Sequence, residues 1–210
     1  WALTVYYSWK IYSKQNIHIK ECILLGIFAA FGFLSKYLFI YLLVSIDLLF
    51  FYLIFIKKDR RYDHKYIIPL LVFIVLLIPH LFWLIKNDFI TVSYGLHRSG
   101  LSEPNIIDHL KHPIIFFGKQ IVILIPFFIL ASFIVSKLKF NMKFVDKKFF
   151  FLIVVNMLPI FLIFLTSLIL GAKIRTMWMT PFYLFFGTLI IYIFKKNIDL
   201  KKIKNFYFAF

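Results

Sequence analysis

The chain has 210 residues, is 62% hydrophobic with 29 phenylalanines, and has a mean hydropathy of +0.89. A water-soluble core of this size has no use for so much apolar surface, so composition excludes a soluble globular domain and points to a polytopic α-helical membrane protein. The formal charge of +16 would suggest nucleic acid in a soluble chain. Here the basic residues lie between hydrophobic runs, where they face anionic headgroups, and no nucleic-acid partner is expected.

In chain order, residues 1–12 read as the tail of a membrane helix. Residues 22–56 are apolar over a length too great for one span, and Gly26, Gly32 and Ser35-Lys36-Tyr37 predict a break. A short helix over 22–34, about 20 Å long, would then be hairpinned to a full one over 38–56. Residues 66–85 form the next span, and 86–112 a polar loop. A span over 113–135 follows, with Pro113 at its first helical position and a kink at Pro126. Residues 149–170 span with a kink at Pro159, 171–177 form a tight loop, and 178–194 cross back. A further segment starts at 206–210. The expected fold is an all-α, polytopic transmembrane helical bundle of about six to eight membrane segments, partial ones included. It makes one transmembrane domain over residues 1–210. The chain begins inside one hydrophobic segment and stops inside another, and is expected to be a fragment of a longer protein. Cys22 is the sole cysteine, so no intrachain disulfide is possible.

Eighteen of the 25 Lys and Arg fall within residues 10–20, 57–65, 137–148 and 195–204. By the positive-inside rule those loops are cytoplasmic, which requires 22–56 to cross twice. The other seven, Lys36, Lys86, Arg98, Lys111, Lys119, Lys173 and Arg175, then collect on the outer side. The localisation expected is a cell membrane, the bacterial inner membrane, with multiple passes.

Residues 78–100 (IPHLFWLIKNDFITVSYGLHRSG) organise the outer side. They bring the interfacial Trp83 and then Asn87, Asp88, Tyr94, His97 and Arg98 to one face. Lys36, inside an apolar run, either snorkels to headgroups or meets a lipid-linked phosphate. Lys173 and Arg175 precede Trp178 and are either headgroup anchors or phosphate contacts. Asp47 lies mid-span, as a functional carboxylate or as a neutral group bonded to a neighbouring helix. His109 and His112, with Asp108 alongside, have metal-compatible spacing but too few ligands, and no metal is assigned. Asp88, Glu103 and Asp108 are the outer-loop carboxylates available as a base.

Residues 26–37 (GIFAAFGFLSKY) resemble the G…GL..LSKY pattern of bacterial family-39 membrane glycosyltransferases. These are the dolichyl-phosphate-mannose–protein mannosyltransferase-like proteins, related to the lipid A aminoarabinose transferase. Residues 79–100 are similar to that group's PH..W...NDFPT..Y...R.G segment, with Ile90 where Pro is common. Residues 171–181 (GAKIRTMWMTP) resemble its G.k.R..W..P segment. The resemblance implies a GT-C fold in which an acceptor hydroxyl attacks a polyprenyl-phosphate-linked sugar on the extracytoplasmic face. The acceptor would be a lipid, a glycan or a protein, and apolar grooves between helices would hold the isoprenoid. It implies no cofactor, although a divalent cation is compatible with the chemistry. The principal catalytic carboxylate is expected upstream of Trp1. By the same resemblance Lys36, Tyr37, His97, Arg98, Lys173 and Arg175 would neighbour the donor phosphate or acceptor, with Asn87, Asp88, Tyr94 and Trp178 as secondary candidates. The competing classes are a transporter or flippase-like protein of envelope export and a non-catalytic subunit of an envelope complex.

Overall fold

The computed structural model describes residues 1–14, 16–59, 61–101, 105–135 and 146–198. The basic stretch 136–145, the segment 199–210 and Glu103 lie outside them. Among the described residues eight α-helices follow in order: α1 Ala2–Ser13, α2 Ile19–Ser35, α3 Ile40–Phe51, α4 Ile68–Lys86, α5 Ile90–Arg98, α6 Asp108–Ser132, α7 Lys147–Leu170 and α8 Phe186–Phe194. With their flanking turns, Tyr37–Ile56, His64–Lys86, Asp108–Ser132 and Lys147–Leu170 are long and apolar enough to cross a membrane. The fold is an all-α polytopic bundle.

Local chemistry sets the helix ends. The Asp146 carboxylate accepts from Lys148 N at 3.0 Å and caps α7, and Gly171 closes it with φ +68°. Pro69 stands in the first turn of α4, where its missing N–H costs nothing. α3 runs out through a π-turn, Tyr52–Ile56, before the basic loop.

The break at Lys36 is present. Lys36 is extended (φ −162°, ψ 116°), and a 3₁₀ turn, Tyr37–Phe39, leads into α3. Gly32 makes the reversal possible, because a β-carbon there would lie 2.4 Å from the Phe39 ring. Phe39 is fully buried and meets Trp1 edge-on at 4.8 Å. The two arms do not form the expected hairpin, however. α2 packs along α1 and α4, while α3 packs along α7. Gly26 brings α2 against α4 so closely that a β-carbon would sit 2.6 Å from the Pro69 carbonyl oxygen. The splay leaves an apolar cavity of about 230 Å³ between α2, α3 and α4. Asp47 lines it, hydrogen-bonded to no described residue, so of the two readings of this carboxylate the bond to a neighbouring helix is not formed.

Two further expectations are corrected. The polar stretch 86–112 contains helix α5 and the start of α6. The chain turns between α4 and α5 through Asp88 and Phe89, both left-handed (φ 50° and 52°). Residues 178–194 are not one α-helix: the 3₁₀ turns Thr176–Trp178 and Thr180–Tyr183 precede a nine-residue α8. Pro181 lacks an N–H to continue an α-helical ladder, which accounts for the change of winding.

Contacts sort the chain into two ends. At one, Lys14 meets Glu21, Lys57 and Lys147 meet Asp59, and Tyr12 bonds the Lys147 carbonyl. At the other, the α2–α3 break, the ends of α4 and α7, α5 and the start of α6 converge. There His109 and His112 bond the carbonyls of Leu168 and Gly171 at 3.1 and 2.7 Å. Large apolar side chains such as Leu71, Val75, Ile114 and Val122 face outward along α4 and α6, as lipid contact requires.

Candidate functional site

The converging end carries two hollows. Leu34, Ser35, Lys36, Tyr37, His80, Trp83 and Thr91 line the first, about 460 Å³. The extended backbone at Lys36 turns its side chain toward the turn before α8, where Nζ donates to the Trp178 carbonyl oxygen at 2.9 Å. Partial burial lowers the Lys36 pKa from the ordinary lysine value. One N–H is occupied by that carbonyl, and the ammonium retains two further donors. Beside it the Tyr37 hydroxyl lies 2.8 Å from both His80 Nε2 and Thr91 Oγ1. The His80 ring stacks on Trp83 at 5.8 Å and 13°. Lys36 and Tyr37 come from the α2–α3 break, His80 and Trp83 from α4, Thr91 from α5. A cation suited to a phosphate oxygen thus stands next to a hydroxyl–imidazole chain that can hold or pass a proton.

The second hollow, about 290 Å³, lies between α6 and the stretch before Trp178. Lys111, His112, Lys119, Lys173 and Arg175 line it with Ile115, Phe116, Ile174, Thr176 and Met177. Thr176 and Met177 of the turn line this hollow, and the Trp178 carbonyl of the same turn accepts from Lys36 of the first.

The sequence-derived candidates therefore divide. Lys36, Tyr37 and Trp178 come together at the first hollow, and Lys173 and Arg175 share the second. His97 and Arg98 line neither. Arg98 Nη1 donates to the Tyr94 hydroxyl, with its guanidinium 5.7 Å from that ring. Both sit on α5, a helix whose last turn is joined to the rest by Lys173 N donating to Ser99 O at 2.8 Å. Asn87 Nδ2 donates to the Trp83 carbonyl and ends α4, and Asp88 is an exposed residue of the following turn. His109 and His112 serve as ties to the end of α7. His112 Nε2 also lies 3.4 Å from Asp108 Oδ1.

Sequence reasoning passed over His80, Thr91, Lys111 and Lys119 as site residues. His80 had a readable signal: a histidine on an otherwise apolar helix, three residues before Trp83, needs a polar partner. Lys111 and Lys119 are spaced by eight residues and fall on one face of α6.

Residues 1–83 match the family described as dolichyl-phosphate-mannose-protein mannosyltransferase. The matched stretch contains the whole GIFAAFGFLSKY segment and reaches His80 and Trp83. The match covers less than half of the chain and shows what that stretch is similar to. No curated protein and no solved structure matches the chain.

Proposed function

We propose that the chain belongs to a membrane glycosyltransferase moving a hexosyl or pentosyl group from a polyprenyl-phosphate donor to an acceptor hydroxyl, at the extracytoplasmic face. The observation that carries this reading is the Lys36 hollow, whose lining apart from Thr91 falls within the family-matched stretch, at the end of the bundle opposite Lys14, Lys57 and Lys147. In the reaction the acceptor oxygen bonds to the anomeric carbon and the bond from that carbon to the phosphate oxygen breaks. The acceptor proton passes to a base, and the polyprenyl phosphate leaves with the negative charge. Lys36 is suited to that leaving oxygen, since a fixed donor aimed at developing charge stabilises it where water would first have to reorganise. His97, Arg98, Lys173 and Arg175 are assigned to donor or acceptor binding at the same face, with Asn87, Asp88 and Tyr94 in support.

The test is transfer of radiolabelled sugar from polyprenyl-phosphate donors by the full-length protein in vesicles. Transfer that depends on Lys36 and is confined to outward-facing acceptor supports the reading. Donor binding or translocation without any glycosidic product would make the protein a transporter instead.

A further inference from the structure

The second hollow is built differently from the first. Lys111, Ile115 and Lys119 recur every four residues on α6 and so form one stripe. Gly171 is left-handed, and by Arg175 the chain is extended, at φ −82° and ψ 134°. Alternate side chains of an extended stretch point the same way, and Lys173 and Arg175 are exposed while Ile174 between them is half-buried. Two pairs of cations, one from each wall, thus rim a floor made by Ile115, Phe116, Ile174 and Met177. None of the four forms an ion pair with a described residue, and the nearby Asp108 carboxylate is directed at His112. Lys119 lies about 16 Å along α6 from Asp108.

We propose that this hollow is a binding site for a phosphate-bearing group, separate from the Lys36 hollow, with the four cations as its ligands. Like charges gathered without counter-charge attract a multivalent anion. Guanidinium and ammonium both bind phosphate oxygens, the former through two parallel bonds. The site shares Lys173 and Arg175 with the donor or acceptor binding proposed above and in that respect rests on that reading, but its test is binding alone.

The same chemistry is offered by an anionic lipid headgroup and by soluble phosphate, and two arms separate them. In the first, the full-length protein in phosphatidylcholine nanodiscs receives traces of phosphatidic acid, and retained lipid is counted by native mass spectrometry. In the second, inorganic pyrophosphate is titrated into the same nanodiscs without phosphatidic acid. One site, weakened at least tenfold by Lys119→Gln and by Arg175→Gln and largely kept by Arg175→Lys, supports the proposal in either arm. Retention in the first arm alone makes the ligand a lipid; binding in the second alone makes it a soluble phosphate. Lys86→Gln, at the same end but outside the hollow, is the control. Binding unchanged in both Gln variants, or weakened equally by Lys86→Gln, would overturn the proposal.

Discussion

The two ends of the bundle use the same residue types to opposite effect. At the loop-rich end several cations are matched by carboxylates, Lys14 to Glu21 at 2.7 Å, Lys57 to Asp59 at 3.0 Å and Lys65 to Asp63 at 3.5 Å, while Lys20, Lys58, Arg61 and Lys148 form no ion pair with a described residue. At the other end Lys36 rests on a carbonyl, Arg98 on a tyrosine, and Lys111, Lys119, Lys173 and Arg175 on no described carboxylate. Exposed ion pairs add little to stability, about 0–1 kcal/mol each, but they occupy the charge. A cation left without a carboxylate keeps its donors for a ligand.

The sharpest way to break this contrast is to remove one cation from each end and measure sugar transfer by the full-length protein. Lys36→Ala is expected to lower transfer by about 10²–10³-fold, the loss seen when one preorganised donor is removed, while Lys57→Ala leaves it near wild type. Equal losses would mean that charge, not its placement, matters. Arg98→Ala belongs in the same series, since Arg98 lies outside the Lys36 hollow. Its loss should add to that of Lys36→Ala, because groups without shared partners behave independently. Less-than-additive losses would put both on one phosphate.

Gly171→Ala tests how the unpaired end is held. A β-carbon there would lie 3.3 Å from the His109 ring on a left-handed backbone, at an expected cost of about 1–3 kcal/mol. The thermal midpoint in detergent should fall by several degrees, and an unchanged midpoint would show that the 171–175 stretch is not held by this turn. A smaller effect is expected from Tyr37→Phe. It removes the hydroxyl shared by His80 and Thr91 and should destabilise by about 0.5–1.5 kcal/mol, again read from the midpoint. No shift would indicate that water replaces it.

The smallest effect concerns the paired end and acid. The Tyr192 hydroxyl bonding its side chain, then the Lys148 and Phe149 amides, hold the Asp146 carboxyl below its ordinary value of 3.8. A depressed carboxylate pKa contributes stability above the unfolded value, lost as pH falls through the folded one. Wild type should therefore lose more stability than Asp146→Asn as the pH falls from about 5 to about 2. Parallel curves would remove Asp146 from the account.

Much of this architecture is legible in the residues. Apolar runs long enough to span placed α4, α6 and α7 within a few residues, and a lysine flanked by Ser and Tyr inside an apolar run marked the α2–α3 break. Helix α5 was not legible, because Thr91, Val92 and Gly95 are poor helix formers and its place depends on the left-handed turn at Asp88 and Phe89. The splay of α2 from α3 was hidden for another reason. Hydropathy says that a helix is buried in lipid or protein, and not which neighbour it selects. At the site, cations counted from the sequence revealed the end, but their division into two hollows depends on which side of the Thr176–Trp178 turn each one lies.

The bond from Lys173 N to Ser99 O joins main chain to main chain. Substitution of either side chain, proline at 173 excepted, leaves both of its atoms in place. The surface helix and the cation-bearing segment can therefore exchange residues freely and still stay tied, so specificity at this rim can drift while the scaffold beneath it does not. Alanine scanning would pass over such a tether without registering it. An ester in place of the 173 amide, which deletes the donor and keeps the side chain, is the change that would cut it.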